Sequence, residues 1–179
     1  EKITDISMVN FKANENLIEY LDEKFDSIYI NKILGLSLSP NAIKKHSNLS
    51  FVYTPIHGTG GQIIPKLFEQ AGFKNLHTVE EQMIVDGNFP TVVSPNPEEK
   101  AALTLAIKKA KEVNADVVLA TDPDADRVGI AVKDENGEYV LLNGNQTATL
   151  LTYYLLSRWN ELGKLTGKEY IVKTIVTTE

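Results

Sequence analysis

Apolar runs that read alternately as strands and as helices constrain this 179-residue chain more than any other feature. The stretch "LSFVYTP" (49–55) is short, β-branched and aromatic, and it stops at Pro55, so it predicts a strand. The Gly-rich "IHGTGGQ" (56–62) predicts a turn. "IIPKLFEQAGF" (63–73) predicts a helix in which Pro65 is tolerable only in the first turn. "NLHTVEE" (75–81) predicts a second strand, and residues 82–97, with three prolines and an Asp-Gly pair, a long connection. Helix "EEKAALTLAIKKAKEVNA" (98–115) follows, with Asn96 as its cap, Pro97 at the first helical position and Glu99 completing a capping box. "DVVLAT" (116–121) reads as a buried strand, and "RVGIAV" and "EYVLLN" flank an Asn-Gly turn and so predict a hairpin.

The two ends extend the pattern. Leu17, Leu21, Phe25 and Ile28 form a helical stripe over 14–35, stopped at Gly35 and the connection "LSLSPN". "GNQTATLLTYYLLSRWNELGK" (144–164) predicts a long amphipathic helix packed by Tyr153, Tyr154 and Trp159, and "EYIVKTIVTT" the start of another strand. Strands alternating with helices imply an α/β fold, here three-layer α/β/α with a mixed, mainly parallel sheet. A chain of this length buries roughly 70% of its unfolded surface, enough for a core without staples. The absence of an initiating Met and the strand-like run at the end lead us to expect a piece of a longer protein.

Between two of the strands lies "DPDADR", in which Asp122, Asp124 and Asp126 alternate with other residues and Arg127 follows. Carboxylates two apart in an extended loop aim at a shared point, and a hard divalent cation such as Mg²⁺ suits oxygen ligands of that charge. An arginine beside them offers a fork for a phosphate oxygen. An EF-hand loop starting at Asp122 would need Gly and Glu where Arg127 and Lys133 stand. A haloacid-dehalogenase-type phosphatase, with Asp122 as nucleophile, usually carries a hydroxylated residue where Asp126 stands. A glycosyltransferase DxD motif is short enough to arise by chance, and a solvated acidic turn is the bland alternative.

The other candidates are weaker alone. In "TPIHGTGGQ" the glycines Gly58, Gly60 and Gly61 suit either a phosphate contact or a tight structural turn, and the spacing matches neither the P-loop nor the dinucleotide fingerprint. His57 is expected to bond to backbone. A net charge of −6 argues against nucleic-acid or anionic-membrane partners. No run reaches the ~18 apolar residues of a membrane span, and the absence of cysteine excludes thiol chemistry and fits a cytoplasmic setting.

Taken in order, "TPIHGTGG" (54–61), "NFPTVVSPNPEE" (88–99), "DPDADRVGIAV" (122–132) and "LLNGNQTATLL" (141–151) resemble the α-D-phosphohexomutases, a family that includes phosphoglucomutase and phosphomannomutase. Pro123 and "NGNQ" look most like its phosphoglucomutase/phosphopentomutase-like branch. The resemblance covers roughly residues 50–178. It implies a four-domain isomerase in which a phosphoserine exchanges phosphoryl groups with a hexose phosphate through a bisphosphate intermediate. It further implies that Asp122, Asp124 and Asp126 hold Mg²⁺ and that Arg127 approaches the phosphate. Residues 1–48 would be the tail of the first domain or a linker, 49–169 the second domain, and 170–179 the start of the third. The family's Ser-His-Asn-Pro loop is absent, so the nucleophile is expected elsewhere and the chain alone is expected to be inactive. Two other readings remain open: a Mg²⁺-dependent phosphatase using Asp122, and a non-catalytic metal- or sugar-phosphate-binding module.

Overall fold

A computed structural model describes residues 4–175 and 177. Five strands form one sheet in the order β2-β1-β3-β4-β5: β1 Ser50–Thr54, β2 Asn75–Thr78, β3 Val117–Thr121, β4 Val128–Lys133 and β5 Tyr139–Leu142. β1 pairs in parallel with β2 and with β3, whereas β3–β4 and β4–β5 are antiparallel. Four of the five strands therefore run the same way and β4 alone is reversed, giving the mixed, mainly parallel sheet read from the sequence. The β4–β5 hairpin closes with Gly137 at φ +81°, a conformation glycine adopts without strain.

Helices cover both faces because the central strand is apolar on both. On one face Phe51 packs edge-on against Phe68 of α3 (Gly60–Ala71) and against Phe73 just beyond it, at centroid distances of 5.3 and 5.0 Å. On the other, Val52, Val118 and Ala131 pack against Ala106 and Ala110 of α4 (Thr104–Val113). The small alanines let α4 lie close to the sheet. A third layer element, α1 (Glu23–Leu34), starts at Asp22, whose carboxylate caps the amides of Lys24 and Phe25. It packs on α3, with Ile30 buried and an ion pair between Asp26 and Lys66 at 2.9 Å.

Several boundaries differ from expectation for identifiable reasons. Residues 14–22 are not α-helical: Leu17 and Leu21 have no surface to cover and stay exposed. Pro40 opens a short helix, α2 (Pro40–Lys45), inside the expected connection. α3 starts at Gly60, so Pro65 sits in its second turn and forgoes the bond to the Gly61 carbonyl. Residues 97–103 wind as successive turns with i→i+3 bonds, such as Ala102 to Glu99 at 3.0 Å, and α4 begins only at Thr104. Asn96 still caps that first turn by accepting from the amide of Glu98 at 3.2 Å.

The last helix, α5 (Gly144–Glu161), opens on the capping box of Asn143 and Gln146 but buries only Thr147. It touches the body through Arg158, which donates to the Leu38 carbonyl, and through the Tyr154 hydroxyl at Ser39. Tyr153, Tyr154 and Trp159, expected to pack inward, are exposed instead. Among the described residues of the terminal run no strand forms, and residues 176 and 178 of that expected strand lie outside the described ones.

Candidate functional site

Strands β1 and β3 lie side by side, but the chain leaves β1 toward β2 and leaves β3 toward β4 on the other side. In an open α/β sheet such divergence leaves a crevice at the strand ends, where ligands are usually held. The two segments singled out in the sequence, 54–61 and 122–127, both stand at these ends.

The acidic loop closes on its first residue. Asp122 is 1% exposed, and its two carboxylate oxygens accept from the Arg127 amide at 2.9 Å and from Arg127 Nε at 2.7 Å. The Asp122 carbonyl accepts from the Ala125 amide at 3.0 Å, and the Asp122 amide donates to the Arg127 carbonyl at 3.3 Å. The reversal between Asp124 and Asp126 is made by Ala125 at φ +60°, a left-handed conformation that costs a residue with a Cβ about 1–2 kcal/mol. The result brings one ligand atom from each of Asp122, Asp124 and Asp126 within 4.8 Å of the others.

The electrostatics follow from that crowding. Burial pushes the Asp122 carboxyl up, but the Arg127 amide and guanidinium outweigh it and hold the group below the usual carboxylate range. Asp126 goes the other way, raised chiefly by the charge of Asp124 and then by that of Asp122. One guanidinium against three carboxylates leaves an excess of negative charge at a point ringed by oxygen atoms. Such a donor set could hold a hard divalent cation. Each carboxylate oxygen carries a second lone pair, so the bonds from Arg127 do not exhaust Asp122. The Arg127 side chain is 55% exposed, and its terminal nitrogens make no hydrogen bond among the described residues.

The neighbouring turn touches this loop directly. The Pro123 carbonyl accepts from the Thr59 amide at 2.8 Å and from the Thr59 hydroxyl at 3.1 Å. A Cβ on Gly58 would stand only 2.7 Å from the Pro123 carbonyl carbon, so only glycine fits there. Ahead of it, Ile56 (φ +47°) and His57 (φ +62°) are both left-handed, at about 1–3 kcal/mol of strain each. His57 is buried and does bond to backbone, through Nδ1 at the Ile84 carbonyl (2.9 Å). Its Nε2 also meets the Thr91 hydroxyl at 2.8 Å. Gln82 completes this network by donating to Thr91 at 3.0 Å and accepting from Thr54 at 2.7 Å. Sequence reasoning missed Thr59, Gln82 and Thr91, and the closely spaced glycines were the only hint of a tight approach.

Fold and loop together define a three-layer α/β/α domain that presents a carboxylate cluster and an arginine at its strand ends. The chain belongs to the phosphoglucomutase/phosphomannomutase family: residues 27–137 match the domain described as "Phosphoglucomutase/phosphomannomutase, alpha/beta/alpha domain II". It is 39% identical over 159 residues to a protein named "Probable phosphomannomutase" from Haemophilus influenzae, covering 89% of this chain and 32% of that one. It is 37% identical over 175 residues to a phosphoglucomutase of Staphylococcus haemolyticus, covering 96% of this chain and 30% of the relative. The chain thus spans about a third of the length of these curated relatives. Among solved structures, a Burkholderia thailandensis phosphoglucomutase/phosphomannomutase family protein superposes with a TM-score of 0.57 at 24% identity, over 74% of this chain and 26% of that one. A Thermus thermophilus structure gives 0.60 at 22% identity, over 77% of this chain and 29% of that one. At these identities the superpositions speak for the fold.

Proposed function

We propose that this chain supplies the metal-binding domain of a Mg²⁺-dependent phosphoglucomutase-like enzyme that interconverts hexose 1- and hexose 6-phosphates through a phosphoserine and a bisphosphate intermediate. The observation that carries the reading is the convergence of Asp122, Asp124 and Asp126 within 4.8 Å beside an exposed arginine, in a domain of this family. Asp122, Asp124 and Asp126 would hold the ion, which when bound offsets negative charge during phosphoryl transfer. Asp122 fixes Arg127 through its amide and Nε, so the terminal nitrogens are left as donors for a phosphate oxygen. The repulsion from Asp124 and Asp122 that raises Asp126 is what a bound cation would relieve.

The nucleophilic serine belongs to a part of the enzyme outside this chain, which on this reading works in the cytoplasm. We take residues 1–48 as the tail of the first domain or a linker, 49–169 as the second domain and 170–179 as the start of the third. The exposed apolar side chains of α5, among them Leu150, Tyr153 and Trp159, support contact with those other domains. A phosphatase using Asp122 as nucleophile is less well supported, because that carboxylate is buried and both its oxygens are engaged by Arg127.

Calorimetric titration of the chain with Mg²⁺ and Mn²⁺ tests the reading. Weak binding that Asp124→Asn diminishes further is expected, together with no conversion of glucose 1-phosphate by the chain alone. Equal affinity in both proteins would remove the ligand assignment, and robust turnover would remove the missing nucleophile. Trapping of beryllofluoride on Asp122 would favour the phosphatase.

A further inference from the structure

The turn that follows β1 is more heavily braced than a strand-to-helix connection requires, and its bracing leads to one peptide of the acidic loop. Two donors of a single residue, the Thr59 amide and hydroxyl, converge on the Pro123 carbonyl at 2.8 and 3.1 Å. That carbonyl belongs to the peptide joining Pro123 to Asp124, so its direction sets where the Asp124 side chain departs. Gly58 presses on the same residue from a distance no side chain would permit.

Behind these contacts the left-handed pair Ile56–His57 is pinned on every side. The Ile56 amide donates to the Thr54 hydroxyl at 3.1 Å, the His57 amide to the Gln82 carbonyl at 2.9 Å, and the Asp86 amide to the His57 carbonyl at 3.2 Å. With a neutral imidazole at His57 the side-chain bonds run in one consistent direction. Thr54 accepts from Ile56 and so donates to Gln82 Oε1; Gln82 Nε2 donates to Thr91, whose proton goes to His57 Nε2. His57 Nδ1 therefore carries the proton given to the Ile84 carbonyl. A β-branched residue held at positive φ by a network with no free partner marks stored strain with a purpose.

We propose that Thr59 and Gly58, held by His57, Gln82 and Thr91, act as positioning residues: they clamp the Pro123–Asp124 peptide and preset the spacing of the acidic loop before any cation is bound. The clamp's purpose rests on the metal reading of that loop, but its geometry does not. Two amides inside the loop report on it, that of Ala125 bonded to the Asp122 carbonyl at 3.0 Å and that of Arg127 bonded to the Asp122 carboxylate at 2.9 Å.

The test is hydrogen exchange at these two amides in the metal-free chain, with urea unfolding and Mn²⁺ titration alongside. Thr59→Val keeps the shape of an exposed residue and removes one donor. It should speed exchange at Ala125 and Arg127 by about three- to tenfold, the range one hydrogen bond gives, with a small fall in urea midpoint and unchanged rates at amides that open locally elsewhere. Thr59→Ser should restore the wild-type rates, and Gly58→Ala, which must push Pro123, should exceed the effect of Thr59→Val. Wild-type exchange at both amides in Thr59→Val, or acceleration spread evenly over the chain in step with lost stability, would overturn the clamp. A wild-type chain that takes up no Mn²⁺ would remove the metal reading, while faster loop exchange in Thr59→Val would still uphold the clamp.

Discussion

Substituting Asp122 by asparagine separates the structural and ionic duties of the acidic loop. The carboxylate is buried and receives two bonds from Arg127, at 2.9 Å from the amide and 2.7 Å from Nε. Asparagine keeps the shape and one acceptor oxygen, so one bond survives. The other end becomes an NH₂ donor facing a donor, which loses a charge-assisted bond of about 1.5–3 kcal/mol and adds about 1–3 kcal/mol for the mispaired group. The guanidinium is 55% exposed and regains water, which offsets part of that sum. A net loss of about 2–4 kcal/mol remains, and a domain of this size shifts by about 2–4 °C per kcal/mol. The melting temperature of Asp122→Asn should therefore fall by about 4–16 °C. Asp124→Asn, the same chemistry on an exposed residue, should melt within about 2 °C of wild type, like other surface changes. Because Arg127 lowers the folded-state value of Asp122, its stabilisation is present above the ordinary carboxylate range and is lost as pH falls through the lowered value. The gap between wild type and Asp122→Asn should accordingly close in acid. Calorimetric melting of the three metal-free proteins from neutral pH downward reads both effects. An Asp122→Asn protein that melts with wild type at neutral pH would refute the assignment of Asp122 as the internal anchor of the loop.

Two further outcomes follow from packing and from a buried phenol. Gly129→Ala places a methyl group 2.8 Å from the Pro97 carbonyl carbon, a backbone neighbour that cannot swing aside. A cost at the upper end of the usual ~1–3 kcal/mol for overpacking should appear as a lower urea midpoint, and an unchanged midpoint would mean that the 94–98 segment is not pressed on β4 as described. Burial pushes the Tyr53 hydroxyl, bonded to Thr121 at 2.9 Å, up to about 12. A raised folded-state value means its stabilisation is complete below about pH 10 and is lost as pH rises through about 12. Urea midpoints of wild type should drop over that window more steeply than those of Tyr53→Phe, and parallel curves would sink the claim.

The elements legible in the sequence are those whose pattern and packing agree. "SFVYT" and "VVLAT" carry β-branched residues that the sheet buries on both sides, so composition and burial gave one answer. The misses share one cause: a pattern without a surface to bury it against, or a surface that overrides the pattern. Leu17 and Leu21 have helical spacing but face no core, and tertiary packing rather than propensity sustains most helices. Asn96, Pro97 and Glu99 spell a helix start, yet Gly129 admits the Pro97 carbonyl and Gly144 admits Glu98. That fit against the starts of β4 and α5 holds 97–103 in successive turns and delays α4 to Thr104.

The candidate site divides in the same way. Three aspartates and an arginine within six residues announce a charged cluster, because repulsion in so short a loop needs a compensating partner. What the letters cannot convey is which partner each charge takes. Arg127 spends its amide and Nε on Asp122 inside the loop, and that choice makes Asp122 an anchor while Asp124 and Asp126 stay exposed. The residual imbalance then falls on Asp126, whose carboxyl is raised by its two neighbours. The support from Thr59 lies 64 positions away in the chain, and nothing local to either segment encodes it. Gly58 is its one visible trace, and glycine spacing alone does not distinguish a ligand cradle from a backbone contact. Here the space a side chain would need is filled by Pro123. Gly58 therefore serves the acidic loop by close approach, and a phosphate bound at the Thr59 amide would have to displace the Thr59–Pro123 bond first.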